Sequence, residues 1–113
     1  MNSYSKGIIS ELIACIFLFF KGYKILKRRY KTHFGEIDII AKKGNNLIAV
    51  EVKTRKNKKL AIEAIREHQI NRIYKTLNYF ISKNPQFINC NIRIDILLVM
   101  FNNFPIHIIN VIV

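Results

Sequence analysis

Acidic residues are scarce in this sequence: 7 Asp plus Glu face 19 Lys plus Arg, a formal net charge of +12 over 113 residues. That imbalance argues against a protein built for basic targets. It points to a polyanionic partner, either nucleic acid or an anionic membrane surface. Cysteine is nearly absent. Cys15 and Cys90 form no metal-spaced cluster and are too few for a disulfide framework, which leaves packed thiols in a reducing, cytoplasmic setting. A long apolar run is also lacking. The stretch from Leu12 to Phe20 is under half of the roughly 20 residues a membrane span needs, and Ser10 and Glu11 precede it. Lys21-Gly22-Tyr23-Lys24 follows it with no small-x-small cleavage site, so a buried helix is expected and no membrane partner. Repeats, low-complexity linkers and charged tails are missing too, so residues 1–113 read as a single domain. With half the residues hydrophobic and 12% aromatic, disorder is excluded.

What is present reads as a mixed α/β chain in the order α-β-β-β-α-β-β. Ser3 or Ser5 can cap a first helix that runs to about Phe20 and stops at Gly22. Tyr23 to Tyr30 is β-prone but carries Lys24, Lys27, Arg28 and Arg29, the pattern of an exposed edge strand. Glu36 to Ala41 and Leu47 to Lys53 flank Gly44-Asn45, a type II′ hairpin signal. Ile62, Ile65, Ile73, Leu77 and Phe80 recur at helical spacing and predict one second helix that ends at Asn84-Pro85. Ile92 to Met100 and Ile106 to Val113 predict two more strands. A sheet with flanking helices is the expected architecture.

The few carboxylates are more informative than the many cations, because Ile, Asn and Lys crowd this chain generally. With Gly44 and Asn45 as turn residues, antiparallel register sets Asp38 opposite Glu51 and Glu36 opposite Lys53. Alternation then puts all four on one face. Two carboxylates so placed repel unless a cation bridges them, and Mg²⁺ (or Mn²⁺) suits a site of few carboxylates, water and phosphate. A simple cross-strand ion pair of Lys53 with Glu36 or Glu51 is the plainer alternative. Glu51 also ends a strand whose apolar run signals burial on both faces, where a lone charge is costly. Glu11 lies among Gly7, Ile8, Ala14 and Cys15 on a helix face that should pack inward, unless a frayed helix end leaves it in water.

Asp38, a hairpin, then Glu51-Val52-Lys53 resembles the nuclease motif PD-(D/E)xK, with Ile37 where that motif has Pro. More closely, Gly35-Glu36-Ile37-Asp38-Ile39-Ile40-Ala41 followed by Val50-Glu51-Val52-Lys53-Thr54-Arg55 resembles the YraN family of small uncharacterised bacterial proteins. Gly7, Glu11, Gly22-Tyr23, Arg93-x-Asp95 and Ile106-His107-Ile108-Ile109-Asn110 fall where that family has similar residues, so the likeness spans nearly the whole chain. Arg29 stands where an Asn is usual, the stretch from Thr54 to Leu60 is short and lacks the usual Phe-Gly, and Gln69 stands where many relatives carry Lys. The resemblance implies a restriction-endonuclease-like αβββαβ core, a mixed sheet with flanking helices, similar to archaeal Holliday-junction resolvases. It also implies that Glu11 joins the strand carboxylates.

The expectation is a metal-dependent nuclease acting on DNA or, failing turnover, a nucleic-acid-binding module of the same fold. Asp38, Glu51 and Lys53 are the expected catalytic residues, with Glu11, Asp38 and Glu51 as metal ligands and Glu36 and Gln69 in support. Arg28, Arg29 and Lys31 on one side and Arg55, Lys56, Lys58 and Lys59 on the other flank the motif. Thirteen of the 19 basic residues fall between Lys21 and Lys59, a clustering suited to phosphate contacts that position without reading sequence. A solvated basic face is the bland reading of any one of them. Resolvase-like enzymes act as dimers because a junction has two strands to cut, which puts a homodimer among the expectations.

Overall fold

The computed structural model describes residues 3–54, 57–65, 67–100 and 102–111, the backbone alone at 3–6, 58 and 67. Helix α1 spans Ser3–Phe20 and is followed by strands β1 (Lys24–Thr32), β2 (Gly35–Lys43) and β3 (Asn46–Lys53). Helices α2 (Lys58–Glu63) and α3 (Glu67–Lys83) lead through a 3-10 turn at Pro85–Phe87 to β4 (Asn91–Leu98) and β5 (Ile106–Ile108). The strands form one mixed sheet in the order β1-β2-β3-β4-β5; β3 and β4 run parallel and the other neighbours antiparallel. The parallel pair requires a crossover, which α2 and α3 supply.

Helix α1 stops where a glycine lets it. Gly22 has φ 89°, Tyr23 N–H donates to the Leu18 carbonyl at 3.0 Å, and Gly22 N–H donates to that of Phe19 at 3.0 Å. This left-handed ending satisfies carbonyls that a straight helix end would leave unpaired. At the hairpin Lys43 pairs with Asn46, and Gly44 takes φ 58°, a positive φ at the first turn position alone, as a type II′ turn demands.

Alternation sorts the core into layers. Ile39, Ala41, Ile48, Val50, Leu97 and Val99 pack under α1 with Ala14 and Leu18. Ile37, Ile40, Leu47, Ala49 and Ile94 pack on the other face against Ile73, Leu77 and Phe80 of α3. Ala61 of α2 joins Ile96, Leu98 and Ile108 in a third cluster. Each fully buried Ile or Leu here contributes about 1.5–3 kcal/mol. Strand β3 is buried from Leu47 through Glu51, as its apolar run requires.

Three expectations change. The single second helix is two, because α2 docks on the cluster at β4 and β5 while α3 docks on that at β2 and β3, so one straight axis cannot serve both. The last strand is three residues long where the sequence predicts eight, with Asn110 in a left-handed conformation at φ 55°. Strict alternation also fails along β2: Ile37 packs against α3 but Ile39 against α1. The break falls at Asp38.

A buried polar network pins α1's end to the far strands. Asp95, fully buried, accepts from Arg93 Nε and Nη2 at 2.9 Å each, from His107 Nε2 at 2.7 Å and from Asn110 N–H at 2.8 Å. Arg93 Nη2 also donates to Tyr23 Oη at 2.9 Å, and Lys21 Nζ donates to His107 Nδ1 at 2.6 Å. Burial alone would raise the Asp95 carboxyl, but hydrogen bonds from His107, Arg93 and Asn110 outweigh it and hold its pKa below the ordinary 3.8. The outlying residues that resemble the YraN family, Tyr23, Arg93, Asp95, His107 and Asn110, thus meet in one structural knot. Among the described residues no helix is long and apolar enough to cross a membrane. The outer face of α1 nonetheless leaves Ile16, Phe19 and Phe20 exposed, and Phe104 stands exposed nearby across an apolar groove.

Candidate metal centre

The site begins where β2 and β3 part. Their ladder runs from Lys43↔Asn46 to Ile39↔Val50 and goes no further. Continued by one step, it would oppose Asp38 to Glu51. Instead the two side chains insert between the strands. Asp38 N–H donates to Glu51 Oε2 at 3.3 Å, and Val52 N–H donates to Asp38 Oδ2 at 2.8 Å. Each carboxylate thereby occupies a backbone donor that the neighbouring strand would otherwise have taken, so the fork is stabilised by the two carboxylates it holds. On their outer sides the strands stay held, β2 by β1 through Thr32↔Gly35 and β3 by β4 through Lys53↔Leu98.

The fork opens into a cleft of about 440 Å³ lined by Gly35, Glu36, Asp38, Glu51, Val52 and Lys53 from the strands. His68, Gln69, Arg72 and Ile73 of α3 form its other wall. Gly35 lies against this helix, where a β-carbon would meet Arg72 Cβ and Thr76 Oγ1 at 3.4 Å, ordinary contact distance; its φ of 154° is what favours glycine.

Burial dominates the electrostatics. Glu51 is 4% exposed. Its carboxyl is pushed up to about 8, first by burial and then by the negative charge of Asp38; the Asp38 N–H and Lys53 oppose the rise. Asp38 is also raised from the ordinary 3.8, chiefly by burial and further by Glu11 and Glu36, against the Val52 N–H and Lys53. Two carboxyls in one low-dielectric fork cannot both ionise cheaply. A divalent cation would reverse that penalty, and hard oxygen donors beside a cleft with room for water suit Mg²⁺ or Mn²⁺.

Asp38, Glu51, Lys53, Glu36 and Gln69 are therefore brought to one cleft. Glu11 is not placed with them as a third ligand: both its oxygens accept from Arg29 Nε, at 3.1 and 2.9 Å. Among the described residues no group of three His, Cys, Asp or Glu side chains could hold one ion. Arg28 and Lys31 are exposed on edge strand β1, and Lys59 is exposed on α2. Arg55 and Lys56, like the side chain of Lys58, lie outside the described residues. Sequence reasoning misses His68 and Arg72. The signal that could have found them is Gln69 itself: the i, i+4 spacing of 68 with 72 and 69 with 73 marks the α3 face beside it.

The model of the uncharacterised protein family UPF0102 matches residues 10–99. A UPF0102 protein of Mesorhizobium japonicum is 36% identical over 109 residues, covering 96% of this chain and 87% of its own. One from Chelativorans sp. is 36% identical over 110 residues, covering 97% and 89%. One from Rhizobium leguminosarum bv. trifolii is 37% identical over 102 residues, covering 90% and 84%.

Proposed function

This chain belongs to the uncharacterised protein family UPF0102, the YraN family, and on that premise we propose that it is a metal-dependent phosphodiesterase of nucleic acid, with DNA favoured over RNA. The reading takes the αβββαβ order as a restriction-endonuclease-like core. One observation carries it: Asp38 and Glu51 meet at a strand fork that opens on the cleft containing Lys53.

Asp38 and Glu51 would hold the ion, which when bound supplies Lewis-acid polarisation of a phosphate and a more acidic water. The remaining work falls to the chain itself. The Lys53 ammonium, near enough to Glu51 to lower its proton affinity, offsets negative charge that develops on the phosphate. Glu36 lines the same cleft, where it would orient that lysine. Arg72 and His68 on the opposite wall offer donors to phosphate oxygens. Exposed Arg28, Lys31 and Lys59 add backbone contacts without base readout, so structure-specific or nonspecific binding is favoured. A DNA substrate and two free thiols, Cys15 and Cys90, suit the cytoplasm. A second copy suits the exposed apolar face of α1.

The test is cleavage of branched, single-stranded and duplex DNA with Mg²⁺ or Mn²⁺. Activity lost in Asp38→Ala and Glu51→Ala supports the reading, and activity unchanged in both overturns it. A second reading, a binding module without turnover, is favoured by the engagement of Glu11 with Arg29. It expects salt-sensitive DNA affinity, with log K falling against log salt, and no cleavage under either metal.

A further inference from the structure

The Glu11 carboxylate, outside the cleft, is held by a residue whose backbone is bent to reach it. The β1–β2 ladder pairs Arg28 with Ile39 and Tyr30 with Ile37, so Arg29 stands across from Asp38 at the position between. Arg29 has φ 50°, a left-handed conformation that side-chain-bearing residues within a strand rarely adopt. The alternation break in β2 falls at the same level, since Ile37 and Ile39 face opposite helices. Strain of this kind persists where surrounding contacts hold it. Here Arg29 Nε reaches across to α1 and donates to both Glu11 oxygens. The Glu11 side chain is 12% exposed and that of Arg29 40%, so the pair sits at the border of solvent with its carboxylate end the more dehydrated.

Glu11 is not remote from the cleft. Its negative charge is felt at Asp38, where it raises the carboxyl's proton affinity. Four acids therefore lie within electrostatic range at one end of the sheet: Asp38 and Glu51 in the fork, Glu36 on the cleft wall, and Glu11 neutralised by a guanidinium.

The geometry points to Arg29 as a positioning residue that keeps Glu11 out of the metal's ligand set. This rests on the metal-site reading above. With Arg29 in place the ion meets two carboxylates; without it, Glu11 is released and becomes the third. Arg29 thus sets the affinity of the site through the number of its carboxylates, a quantity that strongly tunes divalent-ion binding.

The experiment is Mn²⁺ titration of the full chain by calorimetry, with water-proton relaxation to count waters on the bound ion. Arg29→Asn removes the guanidinium and fits the left-handed backbone better than Arg does, and Arg29→Gln is the second variant. Both are expected to bind Mn²⁺ about tenfold more tightly than wild type, with fewer waters on the ion. The gain should survive 0.5 M NaCl, reverse in Glu11→Gln/Arg29→Asn, and be absent in Glu11→Gln alone. Unchanged affinity in both Arg29 variants overturns the inference, as does a gain that vanishes at high salt, because through-space charge would then be its only source. Failure of the underlying site is distinct: no variant then binds Mn²⁺ in a manner that Asp38→Asn abolishes, and both readings fall together.

Discussion

Glu51→Gln should make the metal-free protein more stable. Glu51 ionises at about 8 in the fold against an ordinary 4.5, so between those values the folded state holds a proton that the unfolded chain has released. Stability must therefore fall as pH rises from 4.5 to 8. At about 1.4 kcal/mol for each pH unit climbed between those two values, the cost is on the order of 3 kcal/mol at pH 7 and larger above pH 8. Glutamine keeps an oxygen to accept the Asp38 N–H and has nothing to ionise. A difference of that order corresponds to a melting point on the order of 10 °C higher for the variant at pH 7 and about 20 °C higher at pH 8, shrinking to nothing near pH 4.5. Thermal melts with chelator across this range give the comparison. Mn²⁺ should then raise the wild type and leave the variant behind, because ligand that binds only the native state stabilises it. A variant that melts at or below wild type at pH 8 would refute the idea that burial, not pairing, governs this carboxyl.

Other consequences concern the frame around the site. Asp95→Asn leaves Arg93 with an uncompensated charge beneath α1 and should cost about 3 kcal/mol in denaturant melts. Because the native Asp95 carboxyl lies below its ordinary value, its contribution is present above pH 3.8 and lost as pH falls below it. The variant should lose that part of the acid limb. Gly22→Ala places a β-carbon at φ 89° and should cost about 1 kcal/mol, read as a lowered urea midpoint with m unchanged. Phe20→Ser with Phe104→Ser, both at exposed positions, should lower the apparent mass in light scattering if copies meet through α1, while leaving the melting point within a few degrees.

The hairpin register was legible because two quantities fix it. Gly44-Asn45 selects the turn, and apolar residues on both sides select the faces; a one-residue slip would drive Ile40 and Ala49 out of the core. The register stops at Ile39↔Val50, short of Asp38, Glu51, Lys53 and Glu36, yet all four line one cleft. The end of α1 and the edge position of β1 were equally local, written in Gly22 and in a run of exposed cations.

Tertiary structure decided the rest. No local pattern says that β2 and β3 separate after Ile39 and Val50, because the separation depends on side-chain carboxylates taking over backbone hydrogen bonds. Helical periodicity runs through residues 62–80 without revealing two helices, since docking against two different sheet patches breaks the axis. The partner of Glu11 was invisible for the same reason. Its inward position follows from its helical neighbours, but the guanidinium that meets it comes from a strand 18 positions away, through a backbone angle that Arg seldom adopts. Sequence settles which residues carry charge and which face they take. The fold decides how far apart they stand and what neutralises them, because those are long-range quantities set by packing.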